Sequence, residues 1–318
     1  MNTFDASKQT QWLTLTEWTL LNISGRQARD FLQGQVTCDL HQLEPGASLL
    51  GAHCTPKGRV VFSFRILALD EQHLILRLPL GMVEAARLTL GKYIRFSKAE
   101  LTDDPAQRQA RGLVGPRARE WLGQHLIEPA REPGEWVSQD GHIILTLGQQ
   151  RFECWLSPDR AEGLDAEFGQ ASAPEGDNFW RLLDIEAGVG EVRPPTQEAY
   201  TPQALNLPEL GGVSFRKGCY TGQEVVARLH YKGKTKRRMR HLHLPGWKGE
   251  ALPQPGVSLL DTQGKALGDV LLAAQTSSTG LHLLAVIGKG TEELSQVSIE
   301  GDTHPVRIEP LPYNTDQH

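Results

Sequence analysis

Cysteine is scarce in this chain. Its 318 residues include four, Cys38, Cys54, Cys154 and Cys219, and no two are close enough in sequence to form a local zinc or iron–sulfur motif. That pattern fits free thiols in a reducing compartment. Long apolar runs are missing too. The run LHLLAVI at 281–287 is far shorter than the ~20 residues a membrane span requires. The first residues, MNTFDASKQ, lack the basic and apolar regions of a signal peptide. The expectation is a cytoplasmic, monomeric protein with no membrane contact and no resident metal.

Acids are missing from one segment. Arg228, Lys232, Lys234, Lys236, Arg237, Arg238 and Arg240 follow one another with no carboxylate between them, in a chain whose net charge is −5. Such a cluster attracts phosphate or RNA, so direct nucleic-acid binding is one reading. A solvated rim between domains is the other. It is favoured because Tyr231 is the only aromatic interleaved in the run.

What is present reads as α+β. Trp18–Ile23 reads as a strand, and Ser24 with Gln27 suggests a capping box for a helix through Phe31 and Leu32. Strands are expected at 59–67 and 73–78, a helix from Met82 to Leu90, and a strand from Ile94 to Glu100. That order suggests split βαβ elements. The middle third predicts helices at 117–126, from Pro158 towards Phe168, and at 178–187 with Asp177 as cap, with strands at 143–147 and 151–156. After Lys236 come six short strands separated by turn residues, the texture of a small β-barrel. The expected organisation is an α+β region over 1–235, divisible near residue 105, and a barrel over 236–318.

One octapeptide concentrates chemistry: Lys217, Gly218, Cys219, Tyr220, Thr221, Gly222, Gln223 and Glu224, or KGCYTGQE. Thr221 and Glu224 have capping-box spacing, which would set Cys219 just before a helix N-terminus, with Lys217 nearby. Both features favour a thiolate. A buried cysteine in a tight turn explains the same spacing and, taken alone, is the better explanation.

This octapeptide resembles the signature of the YgfZ family of folate-binding, tRNA-modifying proteins. The resemblance extends through FLQGQVT at 31–37, AHC at 52–54 with KGR at 57–59, IEAG at 185–188 and GGVSF at 211–215. It implies an aminomethyltransferase-like folate-binding fold followed by a small C-terminal β-barrel. It implies tetrahydrofolate or a derivative as cofactor, iron–sulfur enzymes that thiomethylate tRNA as partners, and Cys219 as the functional thiol. Trp18 and Trp180 match positions that contact folate in the family, and flat pterin and benzoyl rings stack well on indole. Glu186 matches a carboxylate that pairs with the pterin. Trp180 and Glu186 lie 120° apart around a helix, so they share one pocket only if the helix ends or bends near Gly188. The chain departs from the aminomethyltransferase relatives where they carry adjacent acids. From Gly58 to Leu69 there is no carboxylate. Aminomethyl transfer by the relatives' mechanism is therefore not expected. A one-carbon transferase with altered groups, or an RNA-binding module, remains the alternative.

Overall fold

The computed structural model describes residues 9–168, 173–233, 235–249, 251–276, 278–291 and 294–315. The N-terminal part runs β1 (Gln11–Leu15), β2 (Trp18–Ser24), α1 (Ala28–Gln33), β3 (Ser48–Cys54), β4 (Val60–Ala68), β5 (His73–Pro79), α2 (Val83–Ile94) and β6 (Glu100–Asp103). Next come β7 (Gln109–Val114), α3 (Ala118–His125), β8 (Trp136–Gln139), β9 (His142–Gly148), β10 (Arg151–Leu156), α4 (Pro158–Phe168), α5 (Ala173–Glu186) and α6 (Gln223–Lys232). The C-terminal strands are β11 (Arg237–Leu244), β12 (Ser258–Leu260), β13 (Ala266–Thr276), β14 (Gly280–Gly288), β15 (Gln296–Ile299), β16 (Asp302–Pro305) and β17 (Arg307–Glu309).

They form three antiparallel sheets, ordered β3-β4-β5-β2-β6, β1-β7-β10-β9-β8 and β16-β15-β12-β13-β14-β11-β17. In the first, β5 and β6 both run antiparallel to β2, which lies between them. They are therefore parallel to each other and joined by α2, which is the split βαβ element. In the second, β1 pairs with β7, so strands from both sides of residue 105 share one sheet. The C-terminal unit is a seven-stranded sheet whose end strands, β16 and β17, are not paired with each other among the described residues.

Local chemistry explains most elements. The β4 sequence VVFSFRILA is β-branched and aromatic, and all its residues but Arg65 are buried. Ala86, Leu90 and Ile94, four apart, form the buried stripe of α2. That stripe also corrects one expectation: Ile94 closes the helix, and the following strand starts only at Glu100. The capping box at Ser24 does not form. Ser24 Oγ bonds Glu100, and Gln27 Oε1 accepts the Lys98 N–H instead. Asp177 lies inside α5, where its carboxylate accepts from the Thr16 N–H at 2.8 Å and hydroxyl at 2.5 Å.

The main core joins all three sheets, through Leu20 and Leu76, Leu145 and Trp155, and Leu271 and Leu284. Helix α5 fastens the C-terminal sheet to the rest. Asn178 exchanges both amide bonds with the Gln275 backbone, and Arg181 Nε donates to the Ala273 carbonyl at 3.1 Å.

A histidine cluster lies on β11 and β14. His241 Nε2 is 3.0 Å from His282 Nδ1, and the His282 and His243 rings stack at 4.4 Å. Burial, then the neighbouring His243 and His241, lowers the His282 pKa to about 4. An unfolded histidine titrates near ~6.5. Acid therefore protonates the unfolded chain first, so this contribution is full above about pH 6.5 and is lost as pH falls towards 4. His282→Gln is expected to flatten that acid limb. Urea unfolding from pH 7 to 4 checks it, and parallel curves for both proteins would contradict it.

Candidate functional site

Where the first two sheets meet, a narrow cleft with about 60 Å3 of interior space is lined by Leu50, Phe64, Arg65, Arg77, Arg151, Glu153, Asp184 and Glu191, among others. The charged groups come from five places. Arg65 and Arg77 project from β4 and β5, Arg151 and Glu153 from β10, Asp184 from α5, and Glu191 from the loop after it.

Arg77 is the hub. Its Nε and NH2 reach the two carboxylate oxygens of Glu153 at 3.2 and 2.9 Å, and its NH1 bonds Glu191. This two-pronged geometry is the strong form of an arginine–carboxylate pair. Glu153 is fully buried. Burial alone would raise its pKa, but Arg77 and the Trp155 indole N–H outweigh it and hold the carboxyl below its ordinary range. Arg151 pairs with Asp184 at 2.6 Å. There burial dominates, and Asp184 is shifted upward despite Arg151.

Both expected tryptophans lie under this layer. Trp18 is 4% exposed and donates its Nε1–H to both oxygens of Glu191, at 2.8 and 3.0 Å. Trp180 is fully buried, pressed against β7, where a Cβ on Gly112 would sit 2.6 Å from its ring. Neither indole lines the cleft. Each instead carries on its face the guanidinium of a residue that does, Arg77 over Trp18 at 4.8 Å and Arg151 over Trp180 at 4.2 Å. Glu186 lies elsewhere. It is exposed at the last position of α5, and the chain then turns through Gly188 at φ +65°. The carboxylates nearest in sequence that face the cleft are Asp184 and Glu191.

The octapeptide forms a separate feature at the tip of the β3–β4 hairpin, and Cys219 does not line the cleft. Cys219 and Gly218 are exposed, while Lys217 and Tyr220 on either side are buried. Lys217 turns inward. Its ammonium donates to the carbonyls of Gln33, Val36 and Cys38 at 2.6–2.7 Å and lies 5.3 Å from the Tyr220 ring centre. Burial lowers its pKa to about 8. It is therefore not a charge partner for Cys219. The expected capping box is absent as well. Gly222 is the N-cap of α6 at φ +87°, with no side chain from Thr221 capping the helix. A Cβ there would strike the Thr55 carbonyl at 2.4 Å, so the turn requires glycine. Gln223 opens α6, its amide 3.5 Å from the Lys217 carbonyl, and Glu224 is exposed in the first turn. Lys217→Met is expected to destabilise the fold by about 2–4 kcal/mol, because it leaves three carbonyls without a donor. An unchanged urea midpoint would refute that assignment of Lys217.

The basic run divides. Arg237 pairs with Asp269, Arg238 is buried against Glu209, and Arg240 bonds Thr315. Arg228, Lys232 and Lys236 stay exposed, and Lys234 lies outside the described residues. Among the described residues no group of three or more His, Cys, Asp or Glu is placed to hold a metal ion, and no helix is long and apolar enough to cross a membrane.

No protein-family model matches the chain. It is 32% identical over 315 residues to the tRNA-modifying protein YgfZ of Cronobacter sakazakii (strain ATCC BAA-894), covering 96% of this chain and 93% of that protein. The chain belongs to the YgfZ family. The family's Edwardsiella ictaluri (strain 93-146) protein is 31% identical over 312 residues, with the same coverage. The fold is that of the glycine cleavage system aminomethyltransferase T from Bartonella henselae. The TM-score is 0.73 at 17% identity, over 98% of this chain and 88% of that one.

Three charges would have exposed the cleft from sequence. Arg65, Arg77 and Glu153 each interrupt an otherwise apolar strand, in FSFRILA, LILRLP and FECWL. A charge at such a position needs a buried partner or a ligand.

Proposed function

We propose that the protein binds a tetrahydrofolate species in the cleft between the first two sheets and supports tRNA modification as an accessory of iron–sulfur enzymes. Cys219 is its exposed working thiol. The observation that carries the folate part is the cleft itself, whose polar groups stand on two buried indoles. Its apolar lining, from Leu50, Phe64, Leu147 and Leu207, suits a flat heteroaromatic body. The tRNA part rests on the family to which the chain belongs. An accessory role is favoured over aminomethyl transfer because Glu153, the most buried carboxylate of the cleft, is held by Arg77 below its ordinary range. A carboxylate so held is a poor proton carrier.

In this reading Trp18 and Trp180 act mainly by holding Arg77 and Arg151. Saturable quenching of tryptophan fluorescence by tetrahydrofolate is expected for the natural chain. Calorimetry should show about tenfold weaker affinity in Trp18→Phe and Trp180→Phe, roughly the 1.4 kcal/mol of one lost guanidinium contact. Absence of saturable binding would overturn the folate reading, and unchanged affinity in both variants would overturn the role of the indoles.

A further inference from the structure

Of the arginines lining the cleft, Arg65 alone has no acid of its own. Arg77 is paired with Glu153 and Glu191, and Arg151 with Asp184. Those pairs occupy every carboxylate in the lining. Arg65 donates from NH1 to Ser48 Oγ at 3.0 Å, and among the described residues no carboxylate lies within ion-pair distance of it. Ser48 itself donates onward to the Gly134 carbonyl at 2.5 Å. A guanidinium carries five N–H donors, so most of those on Arg65 have no protein acceptor among the described residues.

The surroundings make that costly. Burial, with repulsion from Arg77 among the next causes, lowers the Arg65 pKa to about 10, even though Glu153 and Asp184 act on it through space. A half-buried cation beside Arg77, with no acid of its own, is less favourable than a paired one. A ligand that brings a counter-charge removes the penalty.

We infer that Arg65 is the seat for an anionic oxygen, specifically a carboxylate, of the molecule that occupies the cleft. The inference rests on the folate reading for the identity of that molecule, since the glutamate portion of folate carries carboxylates. A free small anion sharing the cleft has the same chemistry. The guanidinium fork matches a carboxylate in two-pronged geometry, and the apolar lining receives the aromatic part of the same molecule.

The test is calorimetry on the full chain, in the natural form and as Arg65→Met and Arg65→Lys. The probes are tetrahydrofolate, a tetrahydropterin lacking the p-aminobenzoylglutamate arm, p-aminobenzoylglutamate alone, and inorganic phosphate. Arg65→Met is expected to weaken tetrahydrofolate and p-aminobenzoylglutamate at least tenfold and to leave the tetrahydropterin unchanged. Arg65→Lys, which keeps the charge but not the fork, should fall between. Without ligand, Arg65→Met should melt no lower than the natural chain, because it removes an unpaired cation. If Arg65→Met fails to fold, Arg65→Lys decides on the same probes.

If Arg65→Met keeps its tetrahydrofolate affinity but loses stabilisation by phosphate, the seat belongs to a free anion. If it loses neither, or loses tetrahydropterin binding by the same factor, the inference is overturned. Failure of the natural chain to bind any folate overturns the folate reading alone. Arg65 is then judged on phosphate, and no phosphate stabilisation of the natural chain rejects the seat.

Discussion

Arg77→Met is expected to destabilise the protein by about 3–5 kcal/mol at neutral pH, the cost of stranding buried carboxylates. Arg77 is 7% exposed, Glu153 is fully buried and Glu191 is 7% exposed. Arg77 is the only cation that meets Glu153 in a salt bridge among the described residues. Glu191 keeps the Trp18 indole N–H and the more distant Arg193 at 3.5 Å. The loss should therefore fall mainly on Glu153. Its sign with pH is diagnostic. In the natural protein the Glu153 pKa is lowered, so its contribution is present above the unfolded value, ~4.3, and is lost as pH falls below it. In the variant the same carboxyl is buried without a cation, its pKa rises, and stability drains as pH increases. The gap between the two proteins should be widest near pH 7 and narrow towards pH 4. Urea unfolding at both pH values measures it. Arg77→Lys, which keeps charge and loses the fork, should lie between. Equal stability at pH 7 would show that the network does not hold the sheets together.

How much of this was legible in the sequence depends on how far apart the partners are. The local elements were readable because their signals are local. The Ala86, Leu90 and Ile94 stripe marks α2, and the strands flanking Asp70 declare themselves by composition. Strand β3, SLLGAHC, gave no such signal. Gly51 interrupts it, and that glycine reflects packing, because a Cβ there would meet Cys38 Sγ at 2.7 Å and Phe64 at 2.8 Å. Which charges pair inside the cleft was hidden for another reason. Arg77 meets Glu153 across 76 positions and Glu191 across 114, separations that no local pattern encodes. The family resemblance led to Trp18 and Trp180 but not to the charged layer above them. For carboxylates it pointed to Glu186, whereas the chain turns at Gly188 and presents Glu191 to the cleft.

Cys219 should be the one thiol of the native protein that reacts readily with iodoacetamide, at least a hundredfold faster than the others at pH 7, since the thiolate is the nucleophile. Cys38, Cys54 and Cys154 are buried, and burial pushes the thiols of Cys38 and Cys54 up to about 12 and that of Cys154 higher still. At neutral pH a thiol of pKa 12 is ionised in roughly one molecule in 100,000, even before access is considered. Cys219 is exposed between two buried anchors, Lys217 and Tyr220, so the fold secures the loop on either side and leaves the thiol free. A cysteine kept for packing would have the reverse arrangement. Cys219→Ala should therefore leave the melting transition within about 0.5 kcal/mol of the natural protein, as for any open surface site. It should leave tetrahydrofolate affinity unchanged too, because Cys219 does not line the cleft. The loss should fall on tRNA modification, read as the fraction of thiomethylated tRNA in cells whose only copy is the variant. Normal modification in those cells would remove Cys219 from the mechanism. A lowered melting point with weakened folate binding would make the residue a structural part of the loop, leaving Lys217 and Tyr220 as the reason for the motif.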